Sequence, residues 1–202
     1  PPPPPPPPPP LFFYTHKRAN AMLRSLVGSE MCIRDSHHRP GLESEFAFTL
    51  GVTVHPGGPV MTAVSAREMV SMVHPAIELV CSRFIKNFEV DPALLVADGA
   101  LHTALVLGSG SKPEEVPDLA SHELRTLVDD TVIASGTGIE VLGDPYESLA
   151  WLCNHLSRRG ATLPAGSVVT TGAATGLHMT TINQVVATAG GGLGSVALTL
   201  AG

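Results

Sequence analysis

The chain has 202 residues, with 12 Lys and Arg against 18 Asp and Glu, a formal charge of −6 at neutral pH. From His37 onward the imbalance is eight bases against sixteen acids, so there is no basic surface for nucleic acid or anionic lipid. No apolar run approaches the ~18 residues of a membrane span, and no charged stretch followed by an apolar core opens the chain; the expectation is a cytoplasmic protein without a membrane partner.

Ten prolines come first, and they allow polyproline II but neither helix nor sheet ladder. The segment "SLVGSEMCIRDS" that follows resembles translated sequencing adapter. Pro1 to Ser36 is therefore expected to be a disordered, artefactual leader, with a genuine disordered leader as the alternative. The remaining 166 residues, 37–202, form one domain of ordinary size. Aromatic residues make up only 4 % of the chain, so its core is expected to be built of Val, Leu, Ala and Ile.

Leu42 to Val54 reads as a strand, with "HPGGPV" as the turn after it. "SAREMVSMV" carries a capping box, with Ser65 as cap and Glu68 reaching back, so a short helix is expected that Pro75 ends. "AIELVCSRF" is a second strand, and "DPALLVAD" a short helix capped by Asp91 with Pro92 at its first position. "HTALVLG", "ELRTLV" and "DTVIASG" are strand candidates. "DPYESLAWLCNHLSRRG" is the clearest helix: Asp144 caps, Pro145 leads, Gly160 closes, and Leu149, Leu152, Cys153 and Leu156 share a face. "SVVTTG", "INQVVATA" and "LGSVALTL" complete the strands. Many short strands with few helices indicate a β-rich α+β domain rather than a doubly wound sheet.

Within the first strand, Glu43 and Glu45 stand two residues apart, on one face and about 7 Å apart along the chain. Like charges so placed repel unless a proton or cation lies between them, and a hard divalent cation such as Mg²⁺ suits carboxylate oxygens. For the bare pair, a solvated strand face is the stronger reading. Glu78 shifts the balance, because an acid in "PAIELV" is either solvated or held there for a purpose. Three acids on two strands can make one facial metal site.

"LESEFAF", "HPAIELVCSR", "VADGA", "VLG", "ASGTGIEVLGDPYESLAWLCNHLSRRGATLPAG" and "VVTTGA" occur in an order and spacing that resemble the C-terminal part of the 2-keto-4-pentenoate hydratase family. That family lies within the fumarylacetoacetate hydrolase superfamily and includes 4-oxalocrotonate decarboxylases and 2-oxohept-3-ene-1,7-dioate hydratases. The resemblance covers nearly all of residues 37–202. It implies a mixed β-sandwich or β-roll of the fumarylacetoacetate hydrolase C-terminal type, and Mg²⁺ or Mn²⁺ held by Glu43, Glu45 and Glu78. It implies further a small 2-oxo acid substrate, a homo-oligomer, and hydration of 2-oxo-4-enoates in aromatic compound catabolism. In the family the metal holds the substrate's carboxylate and 2-oxo groups and stabilises an enolate. Asp98 matches a catalytic position; Thr171 and Gly172 match a position facing the substrate carboxylate, a plain strand end being the equal alternative. The runner-up activity is a 4-oxalocrotonate-type decarboxylase. From another class comes a non-catalytic, metal-binding fragment.

The sequence departs from the family pattern at three places. Gly99 and Leu101 replace the amide and hydroxyl of "VADNAS", which puts the hydration step or the usual substrate in doubt. "AGS" at Ala165 to Ser167 replaces "AGD". A family lysine in a "G-x-K-x-G" segment lies upstream of the E-x-E strand, where this chain has the leader; Lys86 and Lys112 do not occupy its place. The domain is thus expected to be truncated at its N-terminal side.

Other chemistries find little support. "HEL" at His122 lacks the second histidine of a zincin, and there is no G-x-S-x-G elbow. "SGTG" and "TAGGGLG" read as turns rather than phosphate loops. Cys81 and Cys153 have no CxxC spacing, which argues against disulfides and zinc. His74, His102 and His178 are single histidines, expected at surface or satisfied core positions.

Overall fold

A computed structural model describes residues 31–34, 40–82, 89, 91–97, 99–116, 118–181 and 183–201. In chain order the strands and α-helices are β1 (Met31–Arg34), β2 (Gly41–Leu50), α1 (Ala63–Glu68), β3 (Val70–Val80), α2 (Pro92–Ala97) and β4 (His102–Leu107). Then follow β5 (Glu123–Val128), β6 (Thr131–Thr137), α3 (Pro145–Arg158), β7 (Val168–Met179), β8 (Val185–Ala189) and β9 (Ser195–Ala201). One sheet has the order β4-β3-β2-β7, the other β1-β9-β8-β5-β6. The α+β, β-rich sandwich expected from the sequence is what forms.

Alternation along β2 divides its side chains between two faces. Leu42, Ser44, Phe46, Phe48 and Leu50 face inward and are at most 2 % exposed. Leu42 packs with Ile77, Leu79 and Val106 against Val186, Leu198 and Leu200 of the second sheet. Further along, Phe46, Phe48 and Leu50 belong to a core completed by Tyr146, Leu149 and Cys153 of α3. Between the two cores, the Ser44 hydroxyl hydrogen-bonds Thr126 (2.7 Å) and Thr188 (2.6 Å) on the second sheet. The opposite face of β2 carries Glu43 and Glu45.

Helix α3 forms as its sequence dictates. Asp144 accepts from the Tyr146 N–H, Pro145 takes the first turn, and Gly160 at φ +68 closes the end with the Ala161 N–H bonded to the Leu156 carbonyl. Asp91 likewise caps α2 through the Ala93 N–H.

Three expectations are corrected. First, the cap of α1 is Thr62, not Ser65: Ser65 is the third helical residue, its N–H bonded to Thr62 and its hydroxyl accepting the Thr62 N–H. Second, the helix stops at Glu68, because the next strand begins at Val70, which pairs with Leu50 of β2, and after a bulge at Ser71 continues with Met72 opposite Thr49 and Val73 opposite Phe48. Pro75 therefore lies inside β3. On an antiparallel strand the N–H and C=O of one residue point the same way. Since the Pro75 carbonyl accepts from Gly108, its missing donor faces the loop after β4 and breaks no pairing with β2. Third, β2 ends at Leu50 and β7 runs past Gly172 to Met179. Residues 31–34, inside the stretch expected to be a leader, pair in parallel with Leu198 to Ala201 on the side of β9 away from β8. The rest of that stretch lies outside the described residues.

Candidate metal centre

Strand register brings the three glutamates together. Glu43 of β2 lies directly opposite Glu78 of β3, and Glu45, two residues on, shares their face. One carboxylate oxygen from each lies within 4.8 Å of the others. This is the grouping read from the sequence, with a cross-strand pairing that spacing alone does not show.

Strand β7 shapes the other side. Glu43 pairs with Leu177 and Glu45 with Ala173, so four steps of β7 span two of β2; Ala47 then pairs with Thr170. The surplus residues form bulges, which re-aim backbone and side chains. Gly172, at φ +103 where a Cβ is disfavoured, turns its N–H onto Glu45 Oε2 at 3.0 Å. The Thr170 hydroxyl donates to the same oxygen. Both donors engage the same oxygen of Glu45.

The site is electrostatically uphill without a cation. Glu45 is 1 % exposed, and its carboxyl is pushed well above its usual range, first by burial and then by the Glu78 charge; the Gly172 N–H opposes this, while Glu43 and a hydrogen bond with Glu78 add to it. The Glu43 carboxyl is raised by burial and by Glu78, with the His178 imidazole acting the other way. Three convergent carboxylates, with the proton affinity of Glu43 and Glu45 raised, fit a hard divalent cation such as Mg²⁺ or Mn²⁺, whose charge takes the place of the extra proton.

The remaining sequence-predicted residues are distributed differently. Thr171 is buried and its hydroxyl donates to the Phe46 carbonyl, while its own carbonyl accepts from Ser148, so the side chain braces β7 rather than facing the cluster. Gly172 reaches the cluster through its backbone. Asp98 lies outside the described residues. His74 is a satisfied core histidine: Nδ1–H donates to the Gly108 carbonyl and Nε2 accepts from Thr49. Gly110 passes so close to this ring that a Cβ there would collide with it.

Sequence reasoning missed the role of Thr170 and, beside Glu78, that of His102. Its Nδ1 lies 2.6 Å from Glu78 Oε1, so it is neither a plain surface histidine nor a core one. The two stand 24 positions apart with no helical or strand period linking them, and the contact depends on a bulge in β4 that composition does not announce.

Comparison with known proteins accords with this geometry. A 4-oxalocrotonate decarboxylase from Pseudomonas sp. (strain CF600) is 34 % identical over 142 residues, 67 % of this chain and 50 % of that protein. A 2-keto-4-pentenoate hydratase from Paraburkholderia xenovorans is 32 % identical over 136 residues, 67 % of this chain and 49 % of that protein. The chain spans about half the length of these curated relatives. Among solved structures, a 4-oxalocrotonate decarboxylase from Pseudomonas putida G7, complexed with magnesium and adipate, superimposes with a TM-score of 0.78 at 30 % identity, covering 86 % of this chain and 65 % of that one. The family model described as fumarylacetoacetate (FAA) hydrolase C-terminal matches residues 1–200. The chain therefore belongs to the fumarylacetoacetate hydrolase C-terminal family.

Proposed function

We propose that this chain is the cation-binding catalytic part of a lyase that hydrates 2-oxo-4-enoates in aromatic compound catabolism. The observation that carries the reading is the convergence of Glu43, Glu45 and Glu78 to within 4.8 Å on one face of a sheet. Bound Mg²⁺ or Mn²⁺ would supply Lewis acidity toward the oxygens of a 2-oxo acid. The chain's own part is to hold the ligand oxygens: Thr170 and the Gly172 N–H fix Glu45 from β7, and the β2–β3 register sets Glu43 against Glu78. The proposal includes a homo-oligomer in the cytoplasm; among the described residues no helix is long and apolar enough to cross a membrane.

A second reading, decarboxylation of a 4-oxalocrotonate-type substrate, is favoured by two observations. Similarity to the decarboxylases is at least as strong as to the hydratases. Leu101, where a family hydroxyl is expected, is 6 % exposed, and its carbonyl is taken by the Cys81 N–H. Incubating the Mn²⁺-loaded protein with 2-oxopent-4-enoate and, separately, with 4-oxalocrotonate distinguishes the two. A 4-hydroxy-2-oxo acid from the first substrate supports hydration, and CO₂ from the second supports decarboxylation. Cation binding without either product would overturn both in favour of a non-catalytic, metal-binding fragment.

A further inference from the structure

We infer that His102 is the positioning residue for Glu78: its Nδ1–H holds Oε1 so that the second oxygen stays turned toward the cation site shared with Glu43 and Glu45. The inference rests on the divalent-cation reading of the three glutamates.

Backbone geometry carries it. In the β3–β4 ladder Glu78 pairs with Leu105 and Leu79 with Ala104, but Val80 pairs with His102, leaving Thr103 surplus. In an unbroken ladder Thr103 would oppose Val80, and His102 would share the inward face of Ala104 and Val106. The bulge instead brings His102 to the face of Glu78, a re-aiming of the kind found beside functional sites.

The turn that feeds β4 is also unusual. Gly99, Ala100 and Leu101 all have positive φ, at +77°, +57° and +66°, and the last two are not glycine. Such conformations persist only where surrounding contacts over-determine them. Here the Ala100 N–H bonds the Leu95 carbonyl, the Leu101 carbonyl accepts from Cys81, and the Leu101 side chain is buried. A strained turn and a bulge in succession thus deliver one imidazole to one carboxylate.

Each flank of the cluster then has a donor from a different strand. Thr170 and Gly172 on β7 hold Glu45, and His102 on β4 holds Glu78. Groups that orient metal-binding carboxylates from outside typically change cation affinity by about 10–100-fold when removed. The contrary possibility is a rim ion pair of no consequence, because the His102 side chain is 39 % exposed.

Mn²⁺ alone is the probe, bound to the 202-residue chain and followed by calorimetry and electron paramagnetic resonance, with circular dichroism to confirm folding. His102→Ala is expected to weaken Mn²⁺ binding by about 10-fold or more. His102→Asn, which keeps an N–H donor at a similar reach, is expected to restore most of the affinity. Glu78→Gln gives the floor. Wild-type affinity in folded His102→Ala overturns the inference while leaving the cation site standing. An Asn variant as weak as Ala, or a nitrogen directly coordinated to Mn²⁺ in pulsed spectra, overturns it by showing a role for the imidazole other than orientation. Unchanged binding in Glu43→Gln and Glu78→Gln would overturn the cation site itself and the inference with it.

Discussion

Replacing Glu45 by Gln should make the metal-free protein more stable at neutral pH. Gln keeps a side-chain oxygen to accept from Thr170 and the Gly172 N–H, so the support from β7 survives. What disappears is a buried charge within 4.8 Å of two others. Two unit charges at that distance interact by roughly 3–4 kcal/mol at an effective dielectric of about 20. A shared proton caps that penalty in the wild type, so the expected gain is about 1–2 kcal/mol.

The sign with pH follows from the raised carboxyls of Glu43 and Glu45. Between their ordinary 4.5 and their raised values, the folded state binds more protons than the unfolded state. The metal-free wild type therefore loses stability as pH rises through that window. His74 acts oppositely: burial lowers its pKa below the ordinary 6.5, so its contribution is complete above 6.5 and is lost as pH falls. Urea unfolding with chelator at pH 5 and pH 7.5, on wild type and Glu45→Gln, separates the two, because the His74 effect cancels in the difference. The gain should be larger at pH 7.5, and added Mn²⁺ should stabilise only the wild type. A variant less stable than wild type at pH 7.5 without metal would refute the repulsion argument.

Two further perturbations test how the sandwich holds the site. Ser44→Ala removes a fully buried hydroxyl shared by Thr126 and Thr188 and should cost about 1–3 kcal/mol in chemical unfolding. Adding Thr188→Val should recover part of that cost, since the orphaned hydroxyl is then gone; equal additive losses would contradict the shared bond. Leu149→Ala, in the core between α3 and β2, should cost about 2–5 kcal/mol by thermal or urea unfolding. A loss below 1 kcal/mol would mean that α3 is not a principal cover of that core.

Much of this architecture was legible from the sequence because local signals and tertiary demands agree. Asp144, Pro145 and Gly160 define α3 to the residue, and "ELRTLV" is β5 with the same ends. Where they disagree, long-range pairing won. Ser65 and Glu68 look like a capping box, yet Thr62 supplies the cap and Val70 starts a strand. Pro75 looks like a helix stop, yet it sits within β3 because its missing donor faces a loop. The glutamate triad was readable because a two-residue period aligns Glu43 with Glu45 and because family motifs place Glu78 beside them. The supporting donors were not: Gly172 and His102 reach the carboxylates through bulges, and a bulge is a property of paired strands rather than of either sequence alone.

The most direct test is a calorimetric titration of the metal-free chain with Mg²⁺, repeated with Glu43→Gln and Glu78→Gln. A single cation per chain is expected for the wild type, and none for either folded variant. Mg²⁺ binding that is unchanged in both variants would contradict the assignment of Glu43, Glu45 and Glu78 as the metal centre.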